Sequence, residues 1–327
     1  MKLAVVGLGE FGHALIERLS LEKDLDLEII AIDKRSLTFR KRYLFDWLRS
    51  DVTDEKFFFN YSVFENKFKS FQCLNDRLDR ISFNKKTLFF KESEAVVVDK
   101  IVICTGSLPQ KQDIAKSTKS GIYYLSAIES PFEFRQRIRM FEHVVMSIST
   151  SVGFDFLMKI IDFNKDLKVI LDVDEKSLDL AKAILTSKGV DFYTGVKIVE
   201  TFGEGEIKAI KLDSGKFLAS DILCLDSVVC ANAGFLSDSN YFDTEQDAFT
   251  VDNNLRTRFD FCFALGEVIE TDLEKRKVFK FSQEKVSKQV DTIVANLKKE
   301  NVPFVWDETE IELVEFLSRI ADCDKVF

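Results

Sequence analysis

Short apolar runs alternate along this chain with segments in which apolar residues recur at helical spacing. Lys2–Val6 and residues 27–32 each predict a short buried strand, and residues 14–19 between them predict a helix. The second apolar run ends in an acid, Asp33. This order of strand, helix and strand indicates a βαβ unit, in which a helix joins two parallel strands.

The same order returns in the middle of the chain. His143–Ile148 predicts a strand, residues 154–163 predict a helix, and residues 167–171 predict a second strand that ends in Asp172. The sequence therefore predicts an α/β protein with two domains, each built on a βαβ unit.

Segments of alternating apolar and polar residues accompany both units. Residues 57–91 predict a β-meander inserted in the first domain, and residues 198–218 predict hairpin strands in the second. A helix is predicted over residues 282–298 and another over residues 308–320. We expect the first domain to comprise 1–110 and 233–300, the second to comprise 111–232, and a short tail to comprise 301–327.

Composition excludes several classes of function. The net charge is −9, with no long basic run, so nucleic acid is not an expected partner. No uncharged apolar run is long enough to span a membrane, and a strand begins at Lys2 where a secretory signal would lie. None of the six cysteines forms a C-x-x-C pair, so we expect a cytoplasmic protein without a metal site.

The turn between the first strand and the first helix carries the clearest chemistry. Residues 7–12 read Gly-Leu-Gly-Glu-Phe-Gly. In such a turn Gly7 permits the tight bend, Gly9 lets a pyrophosphate approach the backbone, and Gly12 lets the helix pack on the strand. The helix N-terminus offers N–H groups to phosphates, and Asp33 can accept hydrogen bonds from a ribose. The segment predicts a dinucleotide site without saying which dinucleotide binds.

Two further features point to the same edge of the first sheet. Residues 34–42 are rich in lysine and arginine, which could neutralise phosphate charge or form a solvated face. An apolar strand over residues 95–104 ends in Thr105-Gly106. Backbone N–H groups there would lie at the carboxyl edge of a parallel sheet, where cofactors bind.

The corresponding turn of the second unit is degenerate. Ile148 and Thr150 stand where the first two glycines would be, and only Gly153 remains. A β-branched side chain at both positions hinders the turn and blocks the approach of a pyrophosphate. We therefore expect weak dinucleotide binding at the second turn.

Taken together, these motifs resemble the FAD-dependent pyridine nucleotide-disulfide oxidoreductase superfamily, in the branch of rubredoxin reductase, nitrite reductase and apoptosis-inducing factor. The resemblance extends over about residues 1–297. It rests on residues 7–12, Asp33, residues 39–41, residues 99–107, residues 121–125, residues 213–215, Asn232, and residues 256–267.

The resemblance implies two Rossmann-like domains, FAD as the cofactor, and specific roles for residues of the first domain. It implies that the glycine turn and Asp33 bind the ADP half of FAD and that Lys41 meets the pyrophosphate. Glu267 would bind the ribityl chain, although the family normally has an aspartate there. The expected cofactor-binding residues are Gly7, Gly9, Glu10, Phe11, Gly12, Asp33, Lys34, Lys41, Thr105, Gly106, Gly266 and Glu267.

The chain also departs from the family pattern. No cysteine pair follows Asp33, no cysteine lies near Tyr43, and the C-terminal dimerisation domain is reduced to a short tail. The degenerate second turn puts NAD(P)H binding in doubt, although Gly153, Asp155 and Asp172 could contribute to it. No catalytic side chain is assigned, and the oligomeric state is left open.

Three functions are compatible with these residues. The first is an FAD-dependent oxidoreductase that passes electrons from NAD(P)H to a small redox protein or a small acceptor. The second is a flavoprotein that has lost NAD(P)H use and acts as a partner or electron-transfer subunit. The third is an NAD-binding regulatory module like those of potassium transport systems, a resemblance limited to about the first 57 residues.

Overall fold

The computed structural model describes residues 1–163, 165–234, 248–270, 283–305 and 317. The chain forms two compact units. The first unit comprises Met1–Tyr43, Val52–Leu108 and the described part of Cys230–Glu308. The second unit includes Leu44–Asp51 and Pro109–Val229.

Strands outnumber helices in the described part of the chain. The strands are β1 (Lys2–Val6), β2 (Glu28–Asp33), β3 (Ser70–Asn75), β4 (Leu78–Ser82), β5 (Thr87–Phe90), β6 (Val96–Val97), β7 (Lys100–Ile103), β8 (Ser107–Pro109), β9 (Ile122–Tyr124), β10 (His143–Ile148), β11 (Asp166–Leu171), β12 (Asp191–Thr194), β13 (Ile198–Phe202), β14 (Ala209–Leu212), β15 (Phe217–Ala219), β16 (Ile222–Leu225), β17 (Val229–Ala231), β18 (Phe249–Thr250), β19 (Cys262–Ala264) and β20 (Ile269–Glu270). The α-helices are α1 (Glu10–Leu19), α2 (Leu44–Arg49), α3 (Asp54–Phe57), α4 (Pro131–Met140), α5 (Ser151–Ile160), α6 (Glu175–Ser187) and α7 (Gln283–Leu297).

The first unit is built on a five-stranded parallel sheet in the order β19-β7-β1-β2-β3. Residues 3–6 of β1 are buried throughout, as expected of a central parallel strand whose two faces are both covered. Helix α1 buries Leu15, Ile16 and Leu19 in the same core. Its Arg18 forms an ion pair with Asp291 of α7, with Nε 3.0 Å from Oδ1.

The second unit repeats this plan with a parallel sheet in the order β12-β11-β10-β16-β9. Helix α5 follows β10 directly and buries Phe154, Phe156 and Leu157. An antiparallel sheet of β13, β14 and β15 lies in the same unit. The α/β class with Rossmann-type parallel sheets is thereby confirmed.

One predicted element differs. A meander is expected over residues 57–91, but the middle part of this range, β3, does not belong to it. β3 instead pairs in parallel with β2 as the edge strand of the main sheet. The antiparallel meander consists of β4, β5 and β6 instead. An edge strand exposes much of its surface, so its alternating pattern resembles that of a meander strand.

Two further expectations concern the tail and membranes. The helix predicted over residues 308–320 lies outside the described residues apart from residue 317. No helix in the described part of the chain is long and apolar enough to cross a membrane.

Candidate functional site

The turn between β1 and α1 is shaped by two glycines that admit no side chain. Gly7 has a φ of +95°, and a Cβ there would lie 2.4 Å from the carbonyl oxygen of Cys104. A Cβ at Gly12 would lie 2.0 Å from the carbonyl oxygen of Gly7. Backbone packing therefore requires glycine at both positions, and the sequence motif predicts this correctly.

Gly9 differs from Gly7 and Gly12 because the space beside it is open. No heavy atom lies within 4 Å of a Cβ built at this position. Gly9 is also the N-cap of α1, and no side chain caps the helix there. The first turn of a helix leaves N–H groups without intrahelical partners, so the open space beside Gly9 suits an anionic group.

Asp33 lies beside this turn, at the end of β2. Its Oδ2 accepts a hydrogen bond of 2.9 Å from the backbone N–H of Leu8. Arg35 donates to the same carboxylate through Nε at 3.0 Å and Nη2 at 3.1 Å. Burial alone would raise the pKa of Asp33, but the hydrogen bonds and charge of Arg35 lower it, so the carboxylate is ionised at neutral pH.

Charged side chains of the basic segment converge on the same region. Lys41 is exposed to solvent, and desolvation by the neighbouring protein lowers the pKa of its ammonium, whereas the carboxylates of Glu267, Glu10 and Asp33 act in the opposite direction. Burial raises the pKa of Glu10 against the charges of Arg42 and other basic neighbours. Oε1 of Glu10 is buried and has no hydrogen-bond partner in the described protein.

The ends of β7 and β19 complete this edge of the sheet. Ser107 Oγ donates to Glu267 Oε2 at 2.5 Å. Gly266 has a φ of +85°, and a Cβ there would lie 2.9 Å from the ring of Phe11. The Thr105 hydroxyl donates to the carbonyl oxygen of Asn232 at 2.7 Å.

The predicted cofactor residues of the first unit therefore lie at or near the carboxyl edge of one parallel sheet. Gly106 has a φ of +68° and adjoins Glu267, since its Cβ would lie 4.0 Å from Oε2. Lys34 lies exposed directly after Asp33. The arrangement provides a turn that is open to phosphate, an ionised acid, basic side chains and hydrogen-bonding groups.

Sequence reasoning did not assign an aromatic group beneath the turn. The ring of His13 stacks on Phe59, with centroids 4.2 Å apart, and Tyr61 donates its hydroxyl to the carbonyl oxygen of Leu8 at 2.8 Å. Burial, followed by the charges of Arg40 and Arg42, lowers the pKa of His13 to about 4. His13 is thus a neutral packing residue, and its aromatic contacts come from residues 46 or more positions further along the chain.

The second turn, between β10 and α5, is filled by a carboxylate. Asp226 follows β16 and is 3% exposed. Its Oδ2 accepts hydrogen bonds from the backbone N–H groups of Ser149 at 3.0 Å and Thr150 at 2.6 Å. The Thr150 hydroxyl donates to its Oδ1 at 2.9 Å. In the sequence Asp226 is an acid directly after a buried strand, a position that does not by itself identify its hydrogen-bond partners.

The residues predicted for NAD(P) binding are placed around this turn. A Cβ at Gly153 would lie 2.6 Å from Asp226 Oδ2. Asp155 lies on α5, partly buried. Asp172 is exposed at the end of β11, and its backbone N–H donates to the carbonyl oxygen of Ile148 at 2.9 Å. Their part in nucleotide binding stays a prediction.

Comparison with known proteins identifies the family. The model of the pyridine nucleotide-disulphide oxidoreductase family matches residues 1–290, which confirms the resemblance seen in the sequence. A rubredoxin-NAD(+) reductase of Pseudomonas putida is 22% identical over 208 residues, which are 59% of this chain and 52% of that protein. The chain thus spans about half the length of this curated relative.

Solved structures share the fold. A ferredoxin reductase from Rhodopseudomonas palustris has a TM-score of 0.80 at 17% identity, covering 93% of this chain and 78% of that one. An NADH:rubredoxin oxidoreductase from Clostridium acetobutylicum has a TM-score of 0.75 at 16% identity, covering 94% and 78%.

Adding a side chain at Gly9 should impair cofactor binding, whereas adding one at Gly12 should impair folding. Gly9 has a φ of −81°, which L-residues adopt, so Gly9→Val should fold normally and lose FAD binding. Gly12→Ala should be strongly destabilised because its Cβ meets the Gly7 carbonyl.

Thr150→Val loses a helix cap worth about 0.5–2 kcal/mol but should keep its flavin. Flavin absorbance per protein and thermal unfolding measure these effects; equal flavin loss in Gly9→Val and Thr150→Val would contradict the site.

His13 predicts a specific loss of stability in acid. Because its pKa is about 4 in the folded chain and near 6.5 when unfolded, the unfolded state binds the proton first as the pH falls. Stability present above pH 6.5 should therefore be lost towards pH 4, by about 3 kcal/mol at most. Urea unfolding of the wild type and of His13→Phe at both pH values measures the difference. Parallel pH profiles would contradict the assignment.

Proposed function

Because the chain belongs to the pyridine nucleotide-disulphide oxidoreductase family, we propose that it passes electrons through FAD to a small redox protein or a small acceptor. Proteins of this family bind FAD and NAD(P)H, so the predicted enzyme class and cofactors agree with the family. The proposed class of acceptor is supported by the rubredoxin reductase and ferredoxin reductase among the relatives.

The observation that carries the proposal is the open turn at Gly9, with Asp33 on one side and basic residues nearby. The residues present fit FAD: the turn would hold the pyrophosphate, Asp33 the ribose, and Glu267 the ribityl chain. Lys41 would offset the phosphate charge. When bound, FAD supplies the redox chemistry, while the protein contributes binding, orientation and electrostatics.

Burial keeps three of the described thiols out of thiolate chemistry. Cys104, Cys224 and Cys262 are buried, and burial raises the pKa of each thiol. For Cys262 the value is about 12. A thiol acts as a nucleophile through its thiolate, so these three stay unreactive at neutral pH.

Two electron donors remain candidates. Reduction by NAD(P)H is favoured by the family and by the intact β10-α5-β11 framework of the second unit. Reduction by a partner protein is favoured by the carboxylate that fills the second turn. The regulatory-module alternative has little support, since the family match continues through residues 1–290 and includes the Gly266-Glu267 segment.

The purified protein should carry FAD non-covalently. Protein denatured with acid should release a flavin that co-elutes with FAD and not with FMN, because the glycine turn and Asp33 provide for the ADP half. A colourless preparation that also fails to take up added FAD would end this proposal.

Anaerobic mixing of the flavin-loaded protein with NADH or NADPH then separates the two donors. Fast bleaching at micromolar nucleotide would assign NAD(P)H as the donor. Bleaching by dithionite alone would assign a partner protein, since the flavin is then reducible but not by the nucleotides. A flavin that dithionite also leaves oxidised would contradict an electron-transfer role altogether.

A further inference from the structure

The Asp226 carboxylate lies at the N-terminus of α5, beside the backbone N–H groups of the turn that leads into this helix. The carboxylate accepts from two successive backbone N–H groups and one hydroxyl, all at the turn that follows β10. The Asp226 backbone is fixed as well: its N–H donates to the Ser147 carbonyl at 2.9 Å, and its carbonyl accepts from the Ser149 hydroxyl at 2.9 Å. Backbone and side chain together place one negative charge in this turn.

We propose that the Asp226 carboxylate takes the place of a dinucleotide pyrophosphate at the turn between β10 and α5, so that the second unit excludes NADH and NADPH. A pyrophosphate at such a turn would need the same N–H groups that Asp226 occupies. It would also bring its own negative charges against a buried carboxylate, and like charges in a poorly solvated site repel strongly.

The two helix-starting turns show the contrast directly. In the first unit the third glycine of the motif, Gly12, packs against the Gly7 carbonyl, and the space beside Gly9 is open. In the second unit the third glycine, Gly153, packs against Asp226 itself, whose Oδ2 a Cβ would meet at 2.6 Å. The surviving glycine of the second turn therefore accommodates an internal carboxylate.

The same geometry explains why this arrangement is stable. Helix N-termini favour negative charge, and bonds from N–H groups to a carboxylate are stronger than neutral ones. Burial raises the pKa of Asp226, while the N–H groups of Ser149 and Thr150 act in the opposite direction. Thr150 adds a second contribution, because its hydroxyl also caps the N–H of Val152 at 3.1 Å.

Calorimetric titration of the flavin-loaded protein with NADH and NADPH tests the proposal. The wild type should show no saturable binding below about 1 mM, whereas Asp226→Gly, which frees the turn and removes the charge, should bind at least tenfold more tightly, or about 1.4 kcal/mol. Asp226→Ala also removes the carboxylate from the N–H groups of the turn and should gain affinity as well, which covers the case in which the glycine variant does not fold. A gain in binding is not expected from structural damage alone.

Asp221→Asn provides the matched control. Asp221 precedes the same strand at its opposite end and lies 3.5 Å from Lys208 Nζ, away from the turn. Removing that charge should leave nucleotide affinity at the wild-type level. Micromolar binding by the wild type, or a folded Asp226 variant with unchanged affinity, would overturn the proposal.

The inference rests on the proposed function only in that FAD fills the first turn. Flavin absorbance of the same samples tests that function separately. If the protein holds no FAD, the titration is repeated in the Gly9→Val background, where the first turn is closed and any bound nucleotide reports on the second turn. Loss of flavin and gain of nucleotide binding are thus read independently.

Discussion

The structure depends on how it satisfies the N–H groups at the start of a helix that follows a parallel strand. These groups have no partner within the helix and need a hydrogen-bond acceptor from elsewhere. The helix starts after β1 and after β10 meet this constraint in different ways. After β1 the Leu8 N–H is bonded to Asp33 and the space at Gly9 stays open, whereas after β10 the Asp226 carboxylate fills the turn.

The two helix-starting turns differ in their chemistry, although both units are built on a five-stranded parallel sheet. The first unit offers room for a phosphate beside an ionised acid, basic side chains and an unsatisfied carboxylate oxygen of Glu10. In the second unit the Asp226 carboxylate already accepts hydrogen bonds from the N–H groups at the start of α5. In this account the redox chemistry belongs to FAD in the first unit, and the second unit has kept the Rossmann framework while its phosphate site is filled.

Local patterns predicted much of the fold and the first site. The apolar runs identified the strands β1, β2 and β10, because a strand buried on both faces is apolar along its length. The glycine spacing placed Gly7 and Gly12 correctly, since backbone contacts within one turn demand them.

What the sequence did not predict depends on partners distant in the chain. Asp226 contacts residues 76 and 77 positions earlier, so no local pattern marks its carboxylate as the acceptor at Thr150 and Ser149. The stacking of His13 on Phe59 is equally non-local. The meander prediction is wrong for β3 because its partner, β2, lies about 40 residues away, and alternation alone does not distinguish parallel from antiparallel pairing.

A crystal structure of the protein grown with excess FAD and NADH would test the central claim most directly. The account predicts one dinucleotide, FAD, with its pyrophosphate against Gly9, and Asp226 still bonded to the N–H groups of Ser149 and Thr150. Density for NADH at the second turn, with the Asp226 side chain displaced from those N–H groups, would contradict it.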